Sequence, residues 1–158
     1  MTCCAMSPRE LREIARGIAE LRGLDPALVA AVVEQESGWR PEATRYEPGY
    51  RWLVVPAEGC GLEDADAEIH GQRTSWGLMQ LMGANARALG LSGPFEALLR
   101  PGLGLEYGCR FLVQQLRRDG GNVRAALSRY NSGRPDSEAG LRYADQVLAR
   151  VARLRGEG

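Results

Sequence analysis

Asp25-Pro-Ala-Leu-Val-Ala-Ala-Val-Val-Glu-Gln-Glu-Ser-Gly38 is the stretch on which the fold turns. Asp25 has the short acceptor side chain of a helix N-cap, Pro26 has its φ preset for a first turn, and Gly38 supplies a stop. Between them Leu28, Val29, Val32 and Val33 recur at helical spacing. Glu36 follows Val29 by seven residues and Val32 by four, which brings it onto the face those residues bury. A carboxyl on an apolar face keeps its proton to higher pH, because desolvation disfavours the charged form. General acids near neutrality need that property. The residues equally allow Glu36 to lie at a frayed helix end, bonded to backbone amides. Glu34 points away and reads as solvated.

Upstream, Ser7, Pro8 and Glu10 predict a capping box, and Leu11, Ile14, Ala15, Ile18 and Leu21 a helix closed by Gly23. Downstream, the helical period vanishes from Arg40 to Arg73. Pro41, Pro48, Pro56, Gly59 and Gly61 punctuate a long loop whose β-prone run, Tyr50 to Val55, allows at most a small hairpin. Loops of that length inside a compact domain are commonly functional. Helical pattern returns around Leu81 to Leu89. Further stripes follow: Leu105, Cys109, Leu112, Val113 and Leu116; then Val123, Ala126, Leu127 and Tyr130; then Leu141, Ala144, Leu148 and Val151. The expected fold class is all-α, with at most a small β-hairpin, as one helical domain holding a substrate cleft. Residues 1–24 form an N-terminal helix packed onto a catalytic region, 25–155.

Composition narrows the function. The chain has 158 residues, enough for one domain, and its 20 basic residues, all arginine, balance 20 acids, so no global field draws it to nucleic acid. Locally the balance is uneven: eleven Arg face six acids from Arg100 onward, whereas Glu42 to Glu68 holds seven acids and two Arg. The single histidine, His70, argues against a His-based metal site or a Ser/His/Asp triad. Cys3, Cys4, Cys60 and Cys109 lack zinc spacing, and Cys109 reads as a packed thiol. No metal or cofactor is expected. The start, MTCCAMSPRE, lacks the features of a secretory signal, and no segment has the apolar length of a membrane span. If the substrate lies outside the cytoplasm, something else delivers this chain, which is then expected to be phage-encoded, virion-associated or trimmed.

Two more segments carry chemistry. In Ser75-Trp-Gly-Leu-Met-Gln-Leu-Met82, Gly77 permits close backbone approach, and Gln80 is an amide among apolar neighbours that needs partners in the protein or in a ligand. Ala125-Ala-Leu-Ser-Arg-Tyr-Asn-Ser-Gly133 points Tyr130 inward and ends its helix on Asn131 and Gly133. Each alone is compatible with core packing. Together, a helix ending in Glu-Ser, then Gly-Leu-Met-Gln, then Tyr-Asn-x-Gly, the chain resembles the soluble lytic transglycosylases and goose-type lysozymes from Asp25 to Val151.

The resemblance implies a lysozyme-like fold acting on the glycan strands of bacterial peptidoglycan, and the chain is expected to be a monomer. It implies that Glu36 protonates the bond between N-acetylmuramic acid and N-acetylglucosamine, then acts as base on the muramyl 6-hydroxyl to leave a 1,6-anhydro end. Ser37, Met79, Gln80, Tyr130 and Asn131 would line the cleft. The sequence departs from the family in two places: Ser128 and Arg129 precede the Tyr-Asn pair where alanine is frequent, and the stretch from Trp39 to Ser75 is longer than in minimal members. That stretch holds Glu47, Glu58, Glu63, Asp64, Asp66 and Glu68. Glu68 is the best placed to supply the second carboxylate of a hydrolytic muramidase, although such loop acids are commonly solvated charges. A non-catalytic glycan-binding or structural module is the remaining alternative. Tyr46, Tyr50, Trp52 and Trp76 offer flat faces for sugar rings.

Overall fold

Ser7 caps the first helix as its spacing predicts. Its side chain accepts from the Glu10 N–H while the Glu10 carboxylate accepts from the Ser7 N–H at 2.7 Å, and α1 runs Pro8–Leu21. A computed structural model describes residues 5–157, so Cys3 and Cys4 lie outside the described residues. Asp25 caps α2 (Pro26–Ser37) by accepting from the Ala27 N–H at 2.9 Å, and Gly38 ends it in the left-handed conformation. Then come β1 (Thr44–Tyr46), α3 (Ala65–Gln72), β2 (Thr74–Trp76), β3 (Leu81–Met82) and α4 (Gly83–Ala88). A 3₁₀ turn (Phe95–Leu99), α5 (Pro101–Arg118), α6 (Val123–Ser132) and α7 (Glu138–Gly156) complete the order. Among the described residues the architecture is mostly helical, with one three-stranded antiparallel sheet in the order β1-β2-β3.

The long segment departs from the expected loop. It contains both β1 and α3, while the β-prone run Tyr50 to Val55 is not a strand. The Gln72 side chain takes the place of a partner strand there: its amide accepts from the Val54 N–H at 2.9 Å and donates to the Val54 carbonyl at 2.8 Å. Helix α3 escapes the periodicity because its buried residues are Glu68, Gly71 and Gln72, none of them apolar and large. Around Leu81, the expected helix begins two residues later, after β3.

Apolar side chains gather in two clusters. The larger joins α1, α2, α5, α6 and α7 through residues such as Leu11, Val29, Val33, Leu105, Leu112, Leu127 and Val147. The smaller joins the sheet to the 3₁₀ turn through Trp76, Leu81, Leu91, Phe95 and Leu98. Helix α5 serves both, since Leu105, Cys109 and Leu112 belong to the first while Leu103, Tyr107 and Phe111 pack on the second. Cys109 is fully buried with its Sγ 3.9 Å from the Met79 Sδ, and burial pushes its thiol up to about 12.

Candidate active site

Glu36 occupies the last turn of α2, half-buried, and its Oε1 accepts from the Tyr143 hydroxyl of α7 at 2.6 Å. Burial pushes this carboxyl up to about 7, against the downward pull of the Tyr143 bond and of the Arg45 charge. Near neutral pH the group therefore exists in both protonation states. Tyr143 itself is 7% exposed, in line with the buried Ala144, Val147 and Val151. Its hydroxyl is held well above the usual range, first by burial and then by Glu36, so it remains a donor.

The next two residues down the chain from Val33 bind α2 to α7. Glu34, expected to be solvated, is paired with Arg150 and Arg153. Gln35 accepts from Arg150 Nε at 2.7 Å and donates to Gln146 at 3.0 Å. The polar side of the acid-bearing helix is thus clasped to the helix that carries the tyrosine.

The Gly77–Gln80 turn is gripped from two sides. The Ser37 hydroxyl lies 2.8 Å from the Leu78 carbonyl, and the Tyr130 hydroxyl donates to the next carbonyl, Met79, at 2.6 Å. A Cβ on Gly77 would come within 2.5 Å of the Leu98 carbonyl, and the residue has φ +73°, so both space and conformation require glycine. Gln80 has φ 49°, a left-handed conformation uncommon outside glycine. Its own side chain holds it there. The amide donates to the carbonyls of Ala43 and Gly77, each at 2.9 Å, and accepts from the Ser75 hydroxyl at 3.0 Å.

These contacts redistribute the expected cleft-lining set. Ser37 is buried and Met79 is fully buried in the larger cluster, so they build the frame behind the acid. Gln80 is engaged as the clamp of the turn, and the Tyr130 proton is committed to Met79. Tyr130 still lies within the field of Glu36, which together with burial raises its phenol well above the usual range. Asn131, at the end of α6, is exposed.

Glu68 differs most from expectation. Rather than a loop carboxylate free to enter a cleft, it is 7% exposed and accepts from Arg87 Nε and Nη2, each at 2.8 Å. It also accepts from Gln72 at 3.0 Å and from the Leu62 N–H at 2.9 Å. Burial opposes its ionisation, yet these donors outweigh burial and hold the carboxyl down to about 2. A group that so weakly accepts a proton and has no open lone pair is a poor base. Of the candidate stacking aromatics, Trp76 is core, donating to the Gly71 carbonyl at 2.9 Å and stacking on Phe95. Tyr46 stacks on His70 with ring centroids 4.4 Å apart, and Trp52 is exposed.

Sequence reasoning missed Tyr143 and Arg45. Tyr143 precedes Ala144 in the last apolar stripe, and its one polar atom among apolar neighbours was the available signal. Arg45 had none, because an arginine in an irregular stretch is ordinary.

A mostly helical domain with a small antiparallel sheet and one half-buried acid at a helix end is of the lysozyme-like class. The chain belongs to the transglycosylase SLT domain family, whose model matches residues 13–150. Among solved structures it is similar to the X-ray structure of an inactive mutant of the lytic transglycosylase Slt from Pseudomonas aeruginosa. That likeness has a TM-score of 0.62 at 20% identity, covers 91% of this chain and 24% of the other, and shows the fold. This chain spans about a quarter of that protein's length.

Proposed function

We propose that this domain cleaves the bond between N-acetylmuramic acid and N-acetylglucosamine in peptidoglycan as a lytic transglycosylase. The supporting observation is the Glu36 carboxyl: raised to about 7 by burial and held by one neutral donor, Tyr143, at 2.6 Å. Protonated Glu36 gives its proton to the bridging oxygen as the bond from that oxygen to the muramyl C1 breaks. The carboxylate left behind faces the positive charge at C1, and the Tyr143 bond strengthens as its acceptor becomes charged. Glu36 then takes the proton of the muramyl 6-hydroxyl, whose oxygen closes on C1. Water is not consumed, and Glu36 ends protonated as it began.

One carboxyl suffices for this route, whereas an inverting hydrolase needs a second to activate water. Among the described residues Glu68 is the only buried acid, 7% exposed, and its oxygens are engaged by Arg87, Gln72 and Leu62. We assign Glu68 a structural role and Asn131 a contact with the glycan. The family membership and the three sequence motifs support peptidoglycan as substrate. We take the domain to work as a monomer. No helix among the described residues is long and apolar enough to cross a membrane.

Digestion of purified peptidoglycan followed by mass spectrometry of the muropeptides tests this. Anhydro ends, lighter by one water than reducing ends, are expected as the main product. Glu36→Gln should lower the rate by about a thousandfold or more with the fold intact. Activity of that variant within about tenfold of the parent would remove Glu36 from the mechanism. Reducing ends would make the enzyme a hydrolytic muramidase, and no cleavage by folded protein would leave a glycan-binding module.

A further inference from the structure

The run Tyr50 to Val55 is β-prone yet forms no strand, and its two edges are unlike. On one edge the Gln72 amide bonds both the N–H and the carbonyl of Val54, at 2.9 and 2.8 Å. A residue whose N–H and C=O both point to one side is extended, and its two neighbours turn theirs to the other side. Leu53 and Val55 therefore present their backbone groups on the opposite edge, where no backbone partner meets them among the described residues. The run is also held firmly. Gln72 is 2% exposed and donates to Glu68 at 3.0 Å, and Glu68 is locked to Arg87. A fixed, half-paired edge is organised in advance for a second strand.

Beside the run is a groove lined by Leu53, Val55, Pro56, Leu62 and Ile69. Exposure of apolar surface is concentrated here: of the seven large apolar side chains exposed among the described residues, five lie between Tyr46 and Ile69, and Val55 is 94% exposed. Contiguous apolar surface of this kind marks an interaction site. Its charge says what fits. Glu58 and Glu63 line the same groove, and the ion pairs of this segment are Arg45 with Glu47 and Arg87 with Glu68, which leaves Glu58 and Glu63 unpaired among the described residues. A second copy pairing through the same run would set these acids against their own kind, which like charges disfavour. A segment with basic residues would meet them favourably.

We propose that Tyr50 to Val55 is a docking edge for an extended segment of a partner protein, which adds as a strand, places alternate aliphatic side chains in the groove and brings Lys or Arg to Glu58 and Glu63. The edge stands apart from the reaction: none of the groove's residues belongs to the frame of Ser37, Tyr130 and Tyr143 around Glu36.

A displayed library of random dodecapeptides, selected on the parent domain, tests this. Selected peptides should alternate aliphatic with polar residues and carry net positive charge. Each is then synthesised and titrated against the parent, Val55→Pro, and Glu58→Lys combined with Glu63→Lys. Proline at 55 deletes an edge N–H, and the extended Val54 before it tolerates the change, so thermal melts should match the parent. Val55→Pro should weaken binding about tenfold and the paired charge change about fivefold, with peptidoglycan cleavage within about twofold of the parent. Should Val55→Pro melt lower, peptides N-methylated at alternate amides remove the same bonds from the partner's side and should lose about tenfold in one of the two registers. A selection without binders, binders of net negative charge, or binders indifferent to both Val55→Pro and N-methylation overturns the proposal. Loss of cleavage in an equally folded Val55→Pro protein overturns it too, by giving the edge to the glycan.

Discussion

Burial gives Glu36 its proton near neutrality and lowers stability at higher pH for the same reason. Its folded-state pKa is raised to about 7, so between the ordinary carboxyl range and neutrality the native protein holds a proton that the unfolded chain has released. Stability contributed by the neutral form is complete at acid pH and is lost as pH rises through about 7. The rise from 4.5 to about 7 corresponds to about 3 kcal/mol. Glu36→Gln cannot ionise, so it should match the parent in denaturant unfolding near pH 4 and exceed it by up to that amount at pH 8. Equal stability at both pH values would show that Glu36 is not desolvated. Tyr143→Phe removes a donor that holds the Glu36 pKa down, so the upper limb of the pH–activity profile should move to higher pH. Turnover should fall about tenfold, because the carboxylate formed in the reaction loses its hydrogen bond. An unmoved limb would place Tyr143 outside the acid's environment.

At the level of elements, α3 and α4 are joined by a buried ion pair. Arg87 lies fully buried against Glu68, donates also to the carbonyls of Leu91 and Gly93 at 2.9 and 2.8 Å, and sits 3.9 Å from the Phe95 ring centroid. Arg87→Met leaves the Glu68 carboxylate buried without its partner, at about 3–5 kcal/mol. Glu68→Gln combined with Arg87→Met should recover part of that loss in thermal unfolding; no recovery would mean the two groups do not act as a pair. The pH sign is opposite to that of Glu36. Because the Glu68 pKa is depressed, its contribution is present above the ordinary carboxyl range and disappears as pH falls toward about 2. The pair also explains why this segment was illegible. A periodic stripe cannot be seen in a helix whose inward residues are Glu68, Gly71 and Gln72. In contrast α1, α2, α5 and α6 were legible from caps and stripes, because capping groups and helical neighbours lie within a few residues of one another.

Across the whole molecule, the two apolar clusters meet at α5 and the Gly77–Gln80 turn. Gly108 marks the junction: a Cβ there would come within 2.5 Å of the Met79 Sδ and 2.7 Å of the Met79 Cβ. Gly108→Ala gains about 1 kcal/mol of helix propensity, but overpacking of this kind destabilises by about 1–3 kcal/mol. A net lowering of the melting temperature is expected, together with reduced turnover, because Met79 carries the carbonyl that Tyr130 grips. A melting temperature at or above the parent's would show that the junction has room to adjust.

Cap residues and the helical period, both local, determined the helical class and the side of α2 that carries Glu36. Three short motifs resembling a known family did the rest of what sequence alone could do, marking Ser37, Met79, Gln80, Tyr130 and Asn131 as one neighbourhood. Tertiary structure decided which of those residues frame the site and which is left exposed. It also committed Glu68 to Arg87, and it brought Tyr143 to Glu36 across a separation of 107 residues. Such pairings depend on how α2, α3 and α7 pack against their neighbours, and no local period or cap encodes the distance between two side chains so far apart along the chain.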